Sequence, residues 1–264
     1  VSIHPTALVD AEARLAPDVV VGPFAVVEQA VVVGPRTEIR AHAVLKRHTT
    51  LGAGNVVHEG AILGGEPQDV GFTGGESSLQ IGDDNRIREG VTVHRASAPG
   101  GATRIGSRCF LMAYAHVAHD CRLGDGVVIA NNVALAGHVH IDDGAFLSGG
   151  VVVHQFCRVG RLAMLGGNAK VVRDCLPFVV TDGVPARARG LNVVGLRRAG
   201  LGASDLRALK EAYRLLLRSG LGLQAALAGL DGLGHPLAAE LAAFVRGSRR
   251  GITRAARHAD AAGE

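Results

Sequence analysis

Hydrophobic residues in the first two-thirds of this chain keep a strict period of six. Ile3, Val9, Leu15, Val21, Val27, Val33, Ile39, Leu45, Leu51, Val57 and Leu63 follow one another without a miss. The same phase returns at Ile81, Ile87 and Val93, then runs from Ile105 through Val117, Leu135 and Val153 to Val171. With Val, Ile and Leu at roughly a quarter of the residues, the unbroken first run has a chance probability on the order of one in a million. Six is the period of neither an amphipathic helix nor an alternating strand. It predicts a mainly β fold, a left-handed parallel β-helix of hexapeptide repeats, in which three hexads close a triangular coil of about 18 residues. Residues one coil apart then stack at about 4.8 Å.

A second inward position lies four residues after each aliphatic one and holds something small: Ala7, Ala13, Val19, Ala25, Thr37, Ala43, Ala115, Ala145 and Ala163 among others. A narrow prism reaches interior packing density only if large and small residues share each side. Cys109, Cys121, Cys157 and Cys175 all occupy this small position. They read as buried apolar residues rather than metal ligands or disulfide partners, since no CxxC pair is present. Gly often follows the aliphatic residue (Gly22, Gly34, Gly52, Gly124), which suits corners needing unusual φ/ψ.

Two segments interrupt the repeat without losing its phase. The first is Glu66–Ser78, where Leu63 to Ile81 spans 18 residues, the length of one coil; the second surrounds Pro99. Loops on a rigid scaffold are favoured places for function. After Val171 the period dissolves. Ser204 with Asp205 reads as a helix start, Leu206, Leu209, Tyr213, Leu216 and Leu217 form a helical stripe, and Gly220 ends it. Further helices are expected around 221–230 and from Pro236 through Val245. The reading is therefore a β-helix domain over 1–190 and a small C-terminal α-helical domain over 191–264, with a tail after about 247 expected to be disordered.

Charge changes this picture little. The net charge is +4, and the excess falls late in the chain, at Arg207, Lys210, Arg214, Arg249 and Arg250 among others. Without a nucleic-acid motif, and with only 3% aromatic residues for stacking, the basic region points to an acidic protein partner and not to nucleic acid. No segment reaches the ~18 apolar residues of a membrane span. The opening Val-Ser-Ile-His-Pro is not a signal peptide, so the expectation is a soluble cytoplasmic protein.

Twelve histidines are present, so position must choose among them. His119 stands two residues after Val117; its coil equivalents are Gly137 and Gln155, flanked by His138 and His154. His119, His138 and His154 are thus expected on one edge across three coils, within roughly 10 Å. His116 lies just across the turn. Asp120 follows His119 and is placed to orient its imidazole. Such a group suits general-base chemistry near neutral pH, and the N–H of Gly137 is positioned to stabilise an oxyanion. No nucleophilic Ser or Cys stands beside it, which favours direct transfer over a covalent intermediate. His4, His42, His48 and His58 read as turn or surface residues. A catalytic metal is disfavoured, because the pairs His116/His119 and His138/His140 lack the spacing of the zinc carbonic anhydrases built on this β-helix.

The strings AHVAHDC (115–121), ANN (130–132), LAGHV (135–139), VHQFCRVG (153–160) and GLNVVGLRR (190–198), with the helical tail, resemble the UDP-N-acetylglucosamine acyltransferases that open lipid A synthesis. The resemblance covers nearly the whole chain, both loops included. It implies transfer of an (R)-3-hydroxyacyl group to the 3-hydroxyl of UDP-N-acetylglucosamine. The donor is acyl carrier protein, which carries the chain on its phosphopantetheine, and no further cofactor is implied. His119 would be the base, Asp120 its orienter and Gly137 the oxyanion donor. His116 and His138 would hold the sugar; His154, Gln155, Asn192 and Arg198 would contact the nucleotide. Gln68 would sit in the substrate-facing loop, and Gly167 would set the length of the acyl pocket. Relatives of this type are homotrimers with active sites between subunits, so no membrane insertion is implied and the residues need not come from one chain. The first loop reads Asp69-Val70-Gly71-Phe72, without the Lys usual there, and Val194 replaces a frequent acidic residue. N-acylation of a 3-amino analogue therefore stays open. So does a non-catalytic trimeric scaffold, which would have no need of His119 beside Asp120 and Gly137.

Overall fold

The computed structural model describes residues 1–255. Strands mostly of two residues, separated by four-residue turns, wind into three flat sheets. Sheet I runs from Ser2–Ile3 to Met164–Leu165 and continues into Val179–Asp182 and Arg187–Leu191; sheet II runs from Leu8–Val9 to Lys170–Val171; sheet III runs from Arg14–Leu15 to Arg158–Val159. Neighbours pair in parallel 18 residues apart, as Val20 with Glu38 and His116 with Ala134. The last pair, Val179–Asp182 with Arg187–Leu191, is antiparallel.

Both inward positions are filled as the period requires. Ile39, Leu63, Leu111, Leu135 and Leu165 have no exposed surface, nor do Ala25, Ala115, Cys121 and Ala163, and all belong to one continuous core. All four cysteines are buried and unpaired, and burial pushes the Cys109 and Cys157 thiols up to about 11. They stay protonated at neutral pH, which excludes them as nucleophiles. Ile3, the first member of the period, lies in the end coil with no coil beneath it and is 45% exposed.

Three expectations need correction. The first loop does not take up a coil: Leu63 pairs with Val93 and Leu51 with Ile81, thirty residues on instead of eighteen. Twelve residues thus stand outside the scaffold. The second loop adds six, since Val93 pairs with Val117. Both leave from the corner between sheets II and III. The glycines after the aliphatic residue are also explained differently. Left-handed φ falls two residues later, at Phe24, Arg36 and Gly54, whereas a Cβ at Gly22 would lie 2.9 Å from Ala41 N and one at Gly34 2.6 Å from Gly52 C. Those positions need glycine because the next coil's backbone is too close.

The third correction concerns the C-terminal part. Helices α1 (Val193–Arg198), α2 (Ala203–Leu217), α3 (Leu223–Gly232) and α4 (Pro236–Arg246) follow the sheets. The sequence pattern missed α1. Helix α2 is capped by Gly202, whose N–H donates to Asp205 Oδ2 at 2.9 Å, so Asp205 serves at the third helical position and Ser204 does not cap. The segment after 247 is ordered through 255. Thr253 N–H donates to Asp174 O, Ala188 N–H to Arg254 O, and Ser248 Oγ to the buried Asp174 carboxylate at 2.6 Å. Residues 256–264, part of the tail expected to be disordered, lie outside the described residues.

The outer faces differ in chemistry. Sheet I presents Val20, Val56, Phe110, Val128, Phe146 and Met164 outward, and sheet II presents Leu8, Val26, Val44, Ile62, Ala134 and Val152. Sheet III presents Arg14, Thr50, Gln80, Arg104, Arg122 and Arg158. Two faces of the prism are mainly apolar, broken by Glu38 and Arg86 on sheet I and by Thr92, His116 and Lys170 on sheet II, and the third is mainly polar.

Candidate active site

Three successive turns at the corner between sheets II and III carry the motif residues. Coil stacking sets His119, Gly137 and Gln155 in one column and Asp120, His138 and Phe156 in the next. His138 N–H donates to His119 O at 3.0 Å, and Phe156 N–H to Gly137 O at 3.2 Å. Asp120, His138 and Phe156 all hold left-handed φ, at 60°, 60° and 64°. Other corners use Gly54, Gly60 or Gly126 at this conformation, which costs L-residues roughly 1–2 kcal/mol. Phe24, Arg36, Tyr114 and Asn132 hold it too, so the conformation belongs to the corners of the prism in general and does not mark this site.

His119 is buried, and its Nδ1 meets Asp120 Oδ2 at 2.8 Å. An ionised carboxylate only accepts, so Nδ1 carries the proton and Nε2 keeps its lone pair. Asp120 Oδ2 also accepts from Ser97 N–H at 3.1 Å and Ser97 Oγ–H at 2.6 Å, while Asp120 N–H donates to Thr103 Oγ1 at 2.8 Å. Burial raises the Asp120 carboxyl, but the hydrogen bonds from Ser97 and His119 outweigh it and hold the group below its ordinary value. The carboxylate is therefore ionised at neutral pH.

The His138 ring stacks on Phe156 at 4.5 Å and meets His119 edge-on at 5.3 Å, with Nε2 3.7 Å from Asp120 Oδ2. His116 Nδ1 is 2.8 Å from Thr92 Oγ1, and its ring is 5.2 Å from that of His94. Burial, aided by His94, pulls the His116 imidazole below its usual value, so it is neutral at pH 7. Ligand atoms of His119, Asp120 and His138 lie within 4.8 Å of one another, a spacing compatible with a cation. Oδ2, the Asp120 oxygen nearest both rings, already accepts three hydrogen bonds, which suits an imidazole-orienting carboxylate.

Gly137 is dictated by His119. A Cβ there would lie 2.6 Å from both Cε1 and Nε2 of the imidazole. Its φ is not left-handed, so the ring and not the backbone excludes a side chain. The Gly137 N–H makes no hydrogen bond among the described residues and remains available.

His154 and Gln155 are exposed on the same corner, with His154 Nδ1 3.2 Å from Gln155 O. Gln68, also exposed, lies in the first loop, which projects from this corner. Gly167 instead sits at the corner between sheets I and II. Asn192 caps α1, its Oδ1 accepting from Gly195 N–H at 3.1 Å and its Nδ2 donating to Leu162 O at 2.9 Å. Leu162 belongs to the third corner, between sheets III and I, so Asn192 and the exposed Arg198 at the end of α1 stand apart from His119. Within one chain the motif residues occupy three corners. Sequence reading missed Ser97, Thr103, His94 and Phe156; of these only Phe156 follows the 18-residue spacing from His138. His58, read as a turn or surface residue, adjoins the turn at 59–60 but is only 7% exposed, with Nδ1 3.1 Å from Arg40 and 3.5–3.6 Å from Glu89 and Glu59.

A hollow of about 340 Å³ adjoins Asp120 and His138, bounded by Gly100, Gly101, Arg104 and Arg122. A larger one, about 880 Å³, runs along sheet II from Ala7 up to Glu66 and Arg95, one coil short of His119.

A left-handed β-helix of hexapeptide repeats bearing a carboxylate-oriented histidine defines a hexapeptide acyltransferase. Family models match at 102–137, as bacterial transferase hexapeptide (six repeats), and at 174–253, as the second domain of UDP-N-acetylglucosamine O-acyltransferase. A relative from Saccharophagus degradans, named acyl-[acyl-carrier-protein]–UDP-N-acetylglucosamine O-acyltransferase, is 45% identical over 96% of this chain and 99% of its own. One of the same name from Synechocystis sp. is 48% identical over 78% of this chain and 75% of its own. Solved UDP-N-acetylglucosamine acyltransferases from Bacteroides fragilis (37% identity, 96% and 100% of the two chains) and Francisella novicida (35%, 99% and 99%) both superpose with TM-scores of 0.94. The chain belongs to the UDP-N-acetylglucosamine O-acyltransferase family. No helix among the described residues is long and apolar enough to cross a membrane.

Proposed function

We propose that this protein transfers an (R)-3-hydroxyacyl chain from acyl carrier protein to the 3-hydroxyl of UDP-N-acetylglucosamine, with His119 as general base. The observation that carries the mechanism is the 2.8 Å contact from His119 Nδ1 to Asp120, which leaves Nε2 unprotonated beside the free N–H of Gly137. The sugar hydroxyl attacks the thioester carbonyl as Nε2 takes its proton. The carbonyl oxygen becomes an oxyanion facing the Gly137 N–H. Collapse breaks the C–S bond, and the imidazolium returns the proton to the leaving thiolate. Asp120 stays ionised throughout and stabilises the imidazolium. Mass spectrometry of the product formed from UDP-N-acetylglucosamine and a set of acyl-carrier thioesters tests the reading. An alkali-labile sugar ester is expected; no acylated sugar with any donor would refute it.

The active unit we infer is a homotrimer. Mainly apolar outer faces on sheets I and II, against a mainly polar sheet III, fit a prism flanked by two neighbours and wetted on its third side. Sheet I of one copy against sheet II of the next brings the corner with Asn192 and Arg198 toward a neighbour's His119. A hollow of about 340 Å³ is also too small for a sugar nucleotide and an acyl chain together. His116, His138, His154, Gln155 and Gln68 would then bind from one side, and Asn192 and Arg198 from the other.

Gly167→Met is expected to shift preference toward shorter acyl donors. A Cβ there would meet only Gly149 O, at 3.6 Å, so the substitution is tolerated by the scaffold. The longest donors lose about 0.8 kcal/mol per displaced methylene. Competition between donors of graded length reads this out, and an unchanged profile removes Gly167 from the acyl pocket.

Carrier docking is assigned to the basic face of α2. Arg207 and Lys210 are exposed, while Arg214 is held by Glu211 at 2.6–2.9 Å. Charge reversal at Arg207 or Lys210 should raise KM for the carrier-bound donor, more than reversal at the partly neutralised Arg214. Affinity should fall with salt as screening sets in at about 10 Å. A small pantetheine thioester lacks the acidic protein surface and should be unaffected; equal loss with both donors refutes the docking site.

A further inference from the structure

The geometry points to Ser97, on the second loop, as a positioning residue that governs the base strength of His119 through Asp120. The inference rests on His119 acting as the base. Ser97 gives two of the three hydrogen bonds that converge on Asp120 Oδ2, from N–H at 3.1 Å and Oγ–H at 2.6 Å; the third is the 2.8 Å bond from His119. All three share one oxygen, so they compete for its charge. Donation from Ser97 draws charge away from the imidazole, lessening the carboxylate's hold on an imidazolium, and keeps the proton of the dyad on nitrogen.

The scaffold accounts for how Ser97 gets there. The second loop adds six residues between Val93 and Ile105 while its ends stay in register with the coils on either side. That excess lets the chain bend over the turn above and place residue 97 against residue 120, with both its N–H and its hydroxyl on the one carboxylate oxygen. Thr103, where the loop rejoins the coil, is fully buried and accepts the Asp120 N–H at 2.8 Å. One loop thus holds the aspartate by backbone and by carboxylate. It is tied in turn to the first loop: Arg95, 2% exposed, donates to Gly75 O at 2.9 Å and reaches Glu66 Oε1 at 3.2 Å.

The test compares Ser97→Ala, Ser97→Thr and His119→Ala in the full-length protein, with kcat, both KM values, pH profiles and melting temperature. Ser97→Ala removes one of the three hydrogen bonds, so the carboxylate that aims the His119 ring is held less firmly, and this lost orientation is expected to lower kcat on the order of 10-fold, with KM values and melting temperature near those of the parent. The acidic limb of its profile should move to higher pH, since a less satisfied carboxylate stabilises the imidazolium more. Ser97→Thr keeps the hydroxyl and should restore both rate and limb. A Ser97→Ala variant with the parental rate and limb overturns the inference. So does one whose melting temperature falls with its rate while the limb stays put, because that marks a loop-packing role. Retained activity in His119→Ala would instead overturn the general-base reading itself, so the two failures are distinguishable.

Discussion

His119→Ala is expected to keep its fold while kcat falls by about 10²–10⁴-fold, the range for loss of a general base. The fold should survive because His119 sits on a turn and is not among the residues of the prism core. What disappears is the acceptor for the hydroxyl proton. Asp120 is a poor replacement, because its Oδ2 stays engaged by the Ser97 N–H and hydroxyl. Kinetics with a parallel thermal melt provide the check; a near-parental rate in a folded variant sinks the assignment.

Gly137→Ala is expected to cost nearly as much through a different cause. The added Cβ would sit 2.6 Å from Cε1 and Nε2 of His119, a distance that forces the ring aside. Displacing it breaks the 2.8 Å bond to Asp120, so base and orienter are lost together, at about 10²-fold or more. The N–H of residue 137 persists in the variant. The two substitutions should therefore be strongly non-additive: in a His119→Ala background, Gly137→Ala should change little. Additive losses would mean that residue 137 acts independently of the ring.

Much of this was legible because stacking turns sequence spacing into distance. The 18-residue interval between Asp120 and His138 becomes one strand spacing, and their juxtaposition with His119 follows. Loops obey no such rule. Ser97 is 23 residues from Asp120, a spacing that corresponds to no register, and nothing local marks it as a carboxylate partner. Counting the first loop as a coil failed for a related reason: phase modulo six survives both a full coil and an excursion of twelve. Asn192 lay beyond the period altogether, and its motif gave no hint that its amide caps α1 and binds Leu162. The return of residues 251–255 onto Asp174 was hidden by composition, since a Gly- and Arg-rich tail looks solvated whether or not its backbone is paired.

A stack whose members touch only their neighbours is a column with a single coordinate. Lengthening the N-terminal half by a whole coil would raise the column and leave every azimuth above it unchanged. Adding six residues within the winding would instead rotate all later chemistry by a third of a turn, carrying His119 from one edge of the prism to another. The second loop contains that same excess of six residues and produces no rotation, because it leaves and rejoins the winding at one corner. Growth outward is free where growth along the thread is quantised, and the chain has placed its variable length in the direction that does not disturb the compass bearing of its catalytic edge.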